Sequence, residues 1–296
     1  MKFGLFAPNI GPFAEPDGAK AAATLAEQHG FDSLWAIEHA VVPAGYESRY
    51  PYSGDGRMPA AEVMNICDPL VWLAQAAAVT DRIRLCTGIV ILPQRNPVIL
   101  AKQVATLDRL SGGRVTLGVG IGWLEEEFEA LGVPFAGRAA RTDEYIAVLR
   151  ALWGDERVAD GPVSFDGELC RFKDLWSRPA PIQRPVPILV GGHSPAACRR
   201  AGRLGDAFYP GCATEEDLFV AIDTMRTAAR QAGRDPDAIE ITAGAPFSSA
   251  AWDVDAVQRL EAQGVARVTI LPPAFDIEGL GPRLDEFAST VIAALR

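Results

Sequence analysis

Cysteine, histidine, positive charge and unbroken apolar sequence are all scarce in this chain of 296 residues. Its five cysteines (Cys67, Cys86, Cys170, Cys198 and Cys212) are odd in number and share no short paired spacing. That pattern argues against a disulfide framework or a metal site and suits a reducing compartment. Lys and Arg number 28 against 38 Asp and Glu, a net charge of −10, so nucleic acid and anionic membrane surfaces are poor partners. No run approaches the roughly 18 apolar residues of a membrane span. The N-terminal MKFGLFAPNI lacks the charged start, long apolar core and small-residue cleavage site of a signal peptide. The expectation is a soluble cytoplasmic protein.

What is present is alternation. Short β-type runs (Phe3–Ala7, Phe31–Ile37, Ile83–Leu92, Arg114–Val119, Val186–Val190, Asp206–Tyr209, Ile239–Ala243 and Val265–Leu271) are each followed by helical sequence. The helix over Asp17–His29 is predicted to be capped by Asp17 and stopped by Gly30. His29 would then meet its C-terminal dipole. Asp68 and Ser194 precede Pro69 and Pro195 as caps before first-turn prolines, and Pro97 opens another helix over Pro97–Leu110. A helix over Arg138–Leu152 precedes VSFDGELCRF, whose Asp166-Gly167 reads as a hairpin turn. Eight strand-then-helix units without a dividing linker predict one domain over residues 1–296. Its fold class is α/β, a (β/α)8 TIM barrel with a long loop after strand 2 and a hairpin insertion before strand 5.

The run TLGVGIGWLEEEFEALG invites a different reading, the glycine fingerprint of a dinucleotide fold. Gly118, Gly120 and Gly122 sit at alternate positions, so the third glycine falls one residue early for Gly-x-Gly-x-x-Gly. Glu125, Glu126 and Glu127 crowd the first turn of the helix that follows, where they would repel a phosphate. The alternative is a fourth barrel strand whose glycines admit something close to the backbone, such as a flat aromatic ligand at the mouth.

Barrel chemistry gathers at the C-terminal ends of the strands. His39 stands just past the second strand, as an acid/base candidate or a locally bonded loop residue. Thr87, Gly88 and Ile89 place a glycine inside an apolar strand, which predicts a bulge with or without a ligand. Gly191 and Gly192 end the fifth strand before His193 and Ser194, where free amides, a hydroxyl and an imidazole could meet a phosphate. The later loops, Leu271-Pro272-Pro273 and Ala245-Pro246-Phe247, carry no comparable glycines. The long loop over Ala40–Asp68 holds Tyr46, Arg49, Tyr50, Tyr52, Arg57 and Met58, the composition of a lid over an apolar or mixed substrate.

Taken in order, several stretches resemble the luciferase-like monooxygenase superfamily, in particular its branch that depends on coenzyme F420, a deazaflavin. These are Gly30-Phe31-Asp32-Ser33-Leu34-Trp35 with Glu38-His39, then Thr87-Gly88-Ile89. Leu107-Asp108-Arg109-Leu110-Ser111-Gly112-Gly113-Arg114 runs on into Gly118-Val119-Gly120-Ile121-Gly122-Trp123, and Pro187-Ile188-Leu189-Val190-Gly191-Gly192 closes the set. The resemblance covers nearly the whole chain. It implies that His39 is the active-site histidine and that Thr87–Ile89 forms the strand-three bulge on which the cofactor ring rests, often through a non-prolyl cis peptide. It also implies that Gly118, Gly120 and Gly122 lie beside the ring, and that Gly191–Ser194 hold the cofactor phosphate. Bacterial luciferase carries an arginine among the fourth strand's glycines to meet the FMN phosphate; this chain has Ile121. The difference favours F420, whose polyglutamate tail would need a local basic patch, with Arg95, Arg199 and Arg200 as candidates.

The resemblance therefore implies an oxidoreductase that moves a hydride between F420 and a small organic substrate. Alternatives are an FMN-dependent monooxygenase, supplied with reduced flavin by a separate reductase and using oxygen, and a non-catalytic flavin-binding protein. Partners in these readings are a small-molecule substrate, a cofactor reductase and a second copy of the chain as homodimer.

Overall fold

The computed structural model describes residues 1–60, 62–154, 161–212, 214–244 and 252–296. The predicted Ala245-Pro246-Phe247 loop lies outside the described residues. In chain order the first elements are β1 (Lys2–Phe6), α1 (Pro16–Gln28), β2 (Ser33–Ala36), α2 (Pro69–Val79), β3 (Arg84–Thr87), β4 (Val90–Ile91) and α3 (Pro97–Leu110). There follow β5 (Val115–Gly120), α4 (Glu125–Ala130), α5 (Arg138–Trp153), β6 (Val163–Asp166), β7 (Arg171–Leu175), β8 (Ile188–Gly191) and α6 (Pro195–Leu204). The last are β9 (Ala207–Tyr209), α7 (Glu215–Gln231), β10 (Glu240–Gly244), α8 (Val254–Ala262), β11 (Val265–Ile270) and α9 (Ile277–Phe287).

Strands β1, β2, β3 with β4, β5, β8, β9, β10 and β11 pair in parallel, and the sheet closes because β11 pairs β1 while β3 pairs β5. This is the (β/α)8 barrel that the alternation predicts. Strands covered on both faces must be apolar on both, and β5 is buried at every position. The helices lay small residues on the barrel: Ala19, Ala22, Ala23 and Ala26 of α1 are all buried. Inside the barrel Trp35, Cys86, Leu189 and Ala207 form a second apolar cluster, with Phe6, Ile89 and Tyr209 packed on it. The antiparallel pair β6–β7 is the hairpin insertion before β8.

The third strand breaks at the expected Thr87–Ile89 bulge: the Gly88–Ile89 peptide is cis, as the resemblance implies, the Gly88 N–H donates to the Ala36 carbonyl, and β4 pairs β5 alone. Other local details differ from expectation where long-range partners decide. Helix α1 begins at Pro16 with Glu15 as N-cap and no side-chain cap, so Asp17 sits in the first turn, where a carboxylate still favours the dipole. His29 lies 3.5 Å from Asp285 of α9, a partner 256 residues away that no local pattern announces. The hairpin turn is wider than Asp166-Gly167, because the Glu144 carboxylate of α5 accepts the N–H groups of Glu168, Leu169 and Cys170 and holds the loop open. Asp68, Asn96 and Ser194 cap their helices, each accepting from backbone N–H groups of the first turn. All five cysteines are free.

Candidate active site

The C-terminal mouth of the barrel is floored by Ile89. Gly88 and Ile89 are half-buried there, while Thr87 and Val90 on either side are buried. Thr87 donates its hydroxyl to the Gly118 carbonyl at 2.7 Å, pinning the bulge to the next strand. The glycines make this shelf possible. A Cβ at Gly118 would lie 2.0 Å from the Thr87 carbonyl oxygen, and Cβ atoms at Gly120 and Gly191 would lie 2.6 and 2.8 Å from the Ile89 side chain. Gly122, at φ +76°, would meet Ile91 and Phe128. Within the protein, the close approach at these glycines is made by segment 87–91, which they seat. Below it, Phe6 and Trp35 meet Tyr209 edge-on at 5.8 and 5.5 Å. The Tyr209 hydroxyl shares a 2.9 Å hydrogen bond with Thr269.

His39 stands at the rim. Asn9, fully buried, fixes the approach to it: its side chain donates to the Ile37 and Cys67 carbonyls and accepts from the Ile37 N–H. Glu38, next in the chain, turns into the protein and accepts from Ile91 N–H and from Arg95 Nε at 2.5 and 2.6 Å. Burial pushes its carboxyl up, against the pull of the Arg95 guanidinium. Arg95 also meets Asp68 at 2.6 Å.

The His39 side chain is only 8% exposed, and its Nδ1 lies 3.1 Å from Oε2 of Glu127, which is wholly buried. The other Glu127 oxygen accepts the N–H groups of Ala40 at 2.6 Å and Val41 at 3.2 Å. Gln94 Nε2 reaches Oε2 at 3.2 Å. Glu126 does the same one step along the loop, accepting from Glu47 and Ser48 N–H at 2.6 and 3.0 Å. Two of the three glutamates at the start of α4, Glu126 and Glu127, therefore clamp the long loop by its backbone. Glu127 lies three positions after buried Leu124, on the same side of the turn, and next to buried Phe128. A carboxylate on an apolar stripe is the signal that sequence reading passed over.

The loop closes over the mouth through aromatic edges. Trp123 meets His39, Tyr46 and Tyr50, and Tyr50 meets Tyr52, which meets His193, all with centroids 5.1–5.7 Å apart. Tyr46 and Tyr50 are buried, whereas Arg49 is exposed beside Gly56. Burial raises both Tyr50 and Tyr52 above the ordinary tyrosine range, so these two hydroxyls stay protonated. Trp123 is the keystone, and its part in joining the loop to His39 is invisible without the fold.

Tyr52, His193, Cys198, Gly211 and Cys212 line a cavity of about 400 Å³ between the lid and the loops after β8 and β9. The amide of Gly192, at φ +113°, is used by the Tyr209 carbonyl. Ser194 Oγ accepts from Ala197 N–H. The amides of His193 and Ser194 have no partner among the described residues and remain able to hold an anion. Asp217, which also lines the cavity, opposes one, and burial pushes the Cys212 thiol up to about 12. Two of the three basic side chains expected to form a patch are spent in ion pairs: Arg95 as above, and Arg200 with Asp143. Only Arg199 is exposed.

Comparison with known proteins adds the following. The family model described as luciferase-like monooxygenase matches residues 1–284. The uncharacterised protein Rv0953c of Mycobacterium tuberculosis is 42% identical over 171 residues, 58% of this chain and 59% of its own length. The chain thus spans about three-fifths of that relative. An F420-dependent glucose-6-phosphate dehydrogenase of Kineococcus radiotolerans is 33% identical, covering 81% of this chain and 65% of that protein. An FMNH(2)-dependent dimethylsulfone monooxygenase of Pseudomonas putida is 31% identical, covering 73% and 54%. Among solved structures, the coenzyme F420-dependent tetrahydromethanopterin reductase of Methanopyrus kandleri superposes with a TM-score of 0.78 at 20% identity, over 100% of this chain and 99% of that one. At that identity the likeness speaks for the fold.

Proposed function

Since the chain belongs to the luciferase-like monooxygenase family, we propose that it is an F420-dependent oxidoreductase acting on a small organic substrate. The observation that carries this is His39 held at the rim of a mouth floored by the half-buried Gly88–Ile89 shelf. A planar ring fits the shelf, because the side chains around it (Phe6, Ile89, Tyr209) are apolar or aromatic. A phosphate fits the two unpartnered amides of His193 and Ser194. When bound, the deazaflavin would give or accept a hydride. His39 holds the accompanying proton, and Trp123 and Tyr50 exclude water above it.

Choice of cofactor rests on position 121. An arginine there would offer a phosphate a charge-assisted contact of about 1.5–3 kcal/mol, or roughly ten- to a hundredfold in affinity; Ile121 offers none. One observation favours FMN instead: Arg138 Nε donates to the Gly122 carbonyl at 3.3 Å, which brings a guanidinium to the end of the same strand. Calorimetric titration with F420 and FMN decides between them. Tighter F420 binding, unchanged in Arg138→Ala, is the expected result. Tighter FMN binding that is lost in Arg138→Ala overturns it in favour of an FMN monooxygenase. His39→Asn is expected to bind as the wild type does and to turn over at least about tenfold more slowly.

A further inference from the structure

We infer that Glu127 is a positioning residue that fixes which nitrogen of His39 carries the proton. This rests on the reading of His39 as the acid/base group. The carboxylate of Glu127 is buried and has four polar partners. Oε1 accepts the N–H groups of Ala40 and Val41, Oε2 accepts from Gln94 Nε2, and His39 Nδ1 lies 3.1 Å from Oε2. An ionised carboxylate only accepts, so the imidazole must present N–H at Nδ1. Among the described residues no hydrogen bond holds Nε2, which is left with its lone pair free to take up a proton. A histidine oriented by a buried carboxylate in this way keeps one tautomer and one ring direction at no cost when the reaction occurs. The same carboxylate carries the first two amides of the lid, so the loop's root and the imidazole are seated by one group.

The arrangement makes a sharp prediction for Glu127→Gln. A carboxamide has one acceptor oxygen where the carboxylate has two. Two backbone N–H groups cannot reverse their polarity, so the oxygen stays on Ala40 and Val41 and the NH2 turns toward His39. Nδ1 must then accept, and the proton moves to Nε2. The lid root keeps its anchor while the reactive nitrogen loses its lone pair.

Histidine-ring ¹⁵N spectra of the full chain, recorded without added cofactor at alkaline pH where imidazoles are neutral, read the tautomer directly. Only His29, His39 and His193 contribute signals. The wild type is expected to show His39 protonated at Nδ1, and Glu127→Gln to show it protonated at Nε2, with Glu126→Gln leaving it unchanged. A wild-type His39 protonated at Nε2, or a tautomer unmoved in Glu127→Gln, overturns the inference. Should Glu127→Gln fail to fold, the wild-type spectrum alone still decides. In turnover, Glu127→Gln is expected to lower kcat at least about tenfold with KM within a few-fold. A correct tautomer in a protein that turns over with neither cofactor would sink the proposed function and leave the positioning role standing.

Discussion

A carbonyl oxygen 2.0 Å from the place of a Cβ leaves position 118 to glycine alone. Gly118→Ala would have to push Thr87 out of line, break its hydroxyl bond to the position-118 carbonyl and tilt the shelf. Overpacking of this kind costs about 1–3 kcal/mol. Thermal unfolding of Gly118→Ala should therefore show a lower Tm, and cofactor affinity should fall with it; an unchanged Tm would mean that the strands part without strain. Single residues were legible in the sequence where the constraint is local. Asp68 and Ser194 precede a proline and cap as a Ser or Asp there should, and the glycines of 118–122 were readable as places of close approach. What approaches them was not legible, since Thr87 and Ile89 come from another strand.

The lid and α4 belong to the next scale. Residues 40–68 are joined to the barrel by carboxylates more than 75 positions along the chain, at 126 and 127. Burial raises the Glu126 carboxyl, but hydrogen bonds from the Ser48 hydroxyl and from backbone N–H groups outweigh it and hold it at about 2. A folded value below the ordinary 4.5 means that this docking is complete above about pH 4.5 and is lost as pH falls toward 2. Glu126→Ala removes the acceptor of both loop amides. Amide exchange at Glu47 and Ser48 should accelerate in that variant at neutral pH, while exchange in β5 stays slow. Equal protection of the loop in both proteins would place its anchor elsewhere. Periodicity located the eight strands because a two-sided barrel writes burial into every strand. The break after Thr87 was legible from Gly88 inside an apolar run, but the anchoring of the loop was not, because it is set by pairing across the fold.

At the scale of the molecule, the charge of −10 sets the terms for any anionic cofactor. The basic patch expected from Arg95, Arg199 and Arg200 does not assemble, since two of them neutralise Glu38 and Asp143. On the proposed reading, the phosphate of such a cofactor would be met chiefly by the backbone amides of His193 and Ser194. Among the described residues no helix is long and apolar enough to cross a membrane. The barrel, the shelf, the histidine and the lid together amount to one claim: a planar redox ring lies on Gly88–Ile89 with its reacting edge beside His39. A crystal structure of the full chain with reduced F420 tests that claim most directly. The account predicts the ring seated on Ile89 beneath Trp123 and Tyr50, with His39 Nε2 within about 3 Å of the substrate site or one water from it. A ring bound outside the mouth, or lying on the far side of the lid from His39, would contradict it.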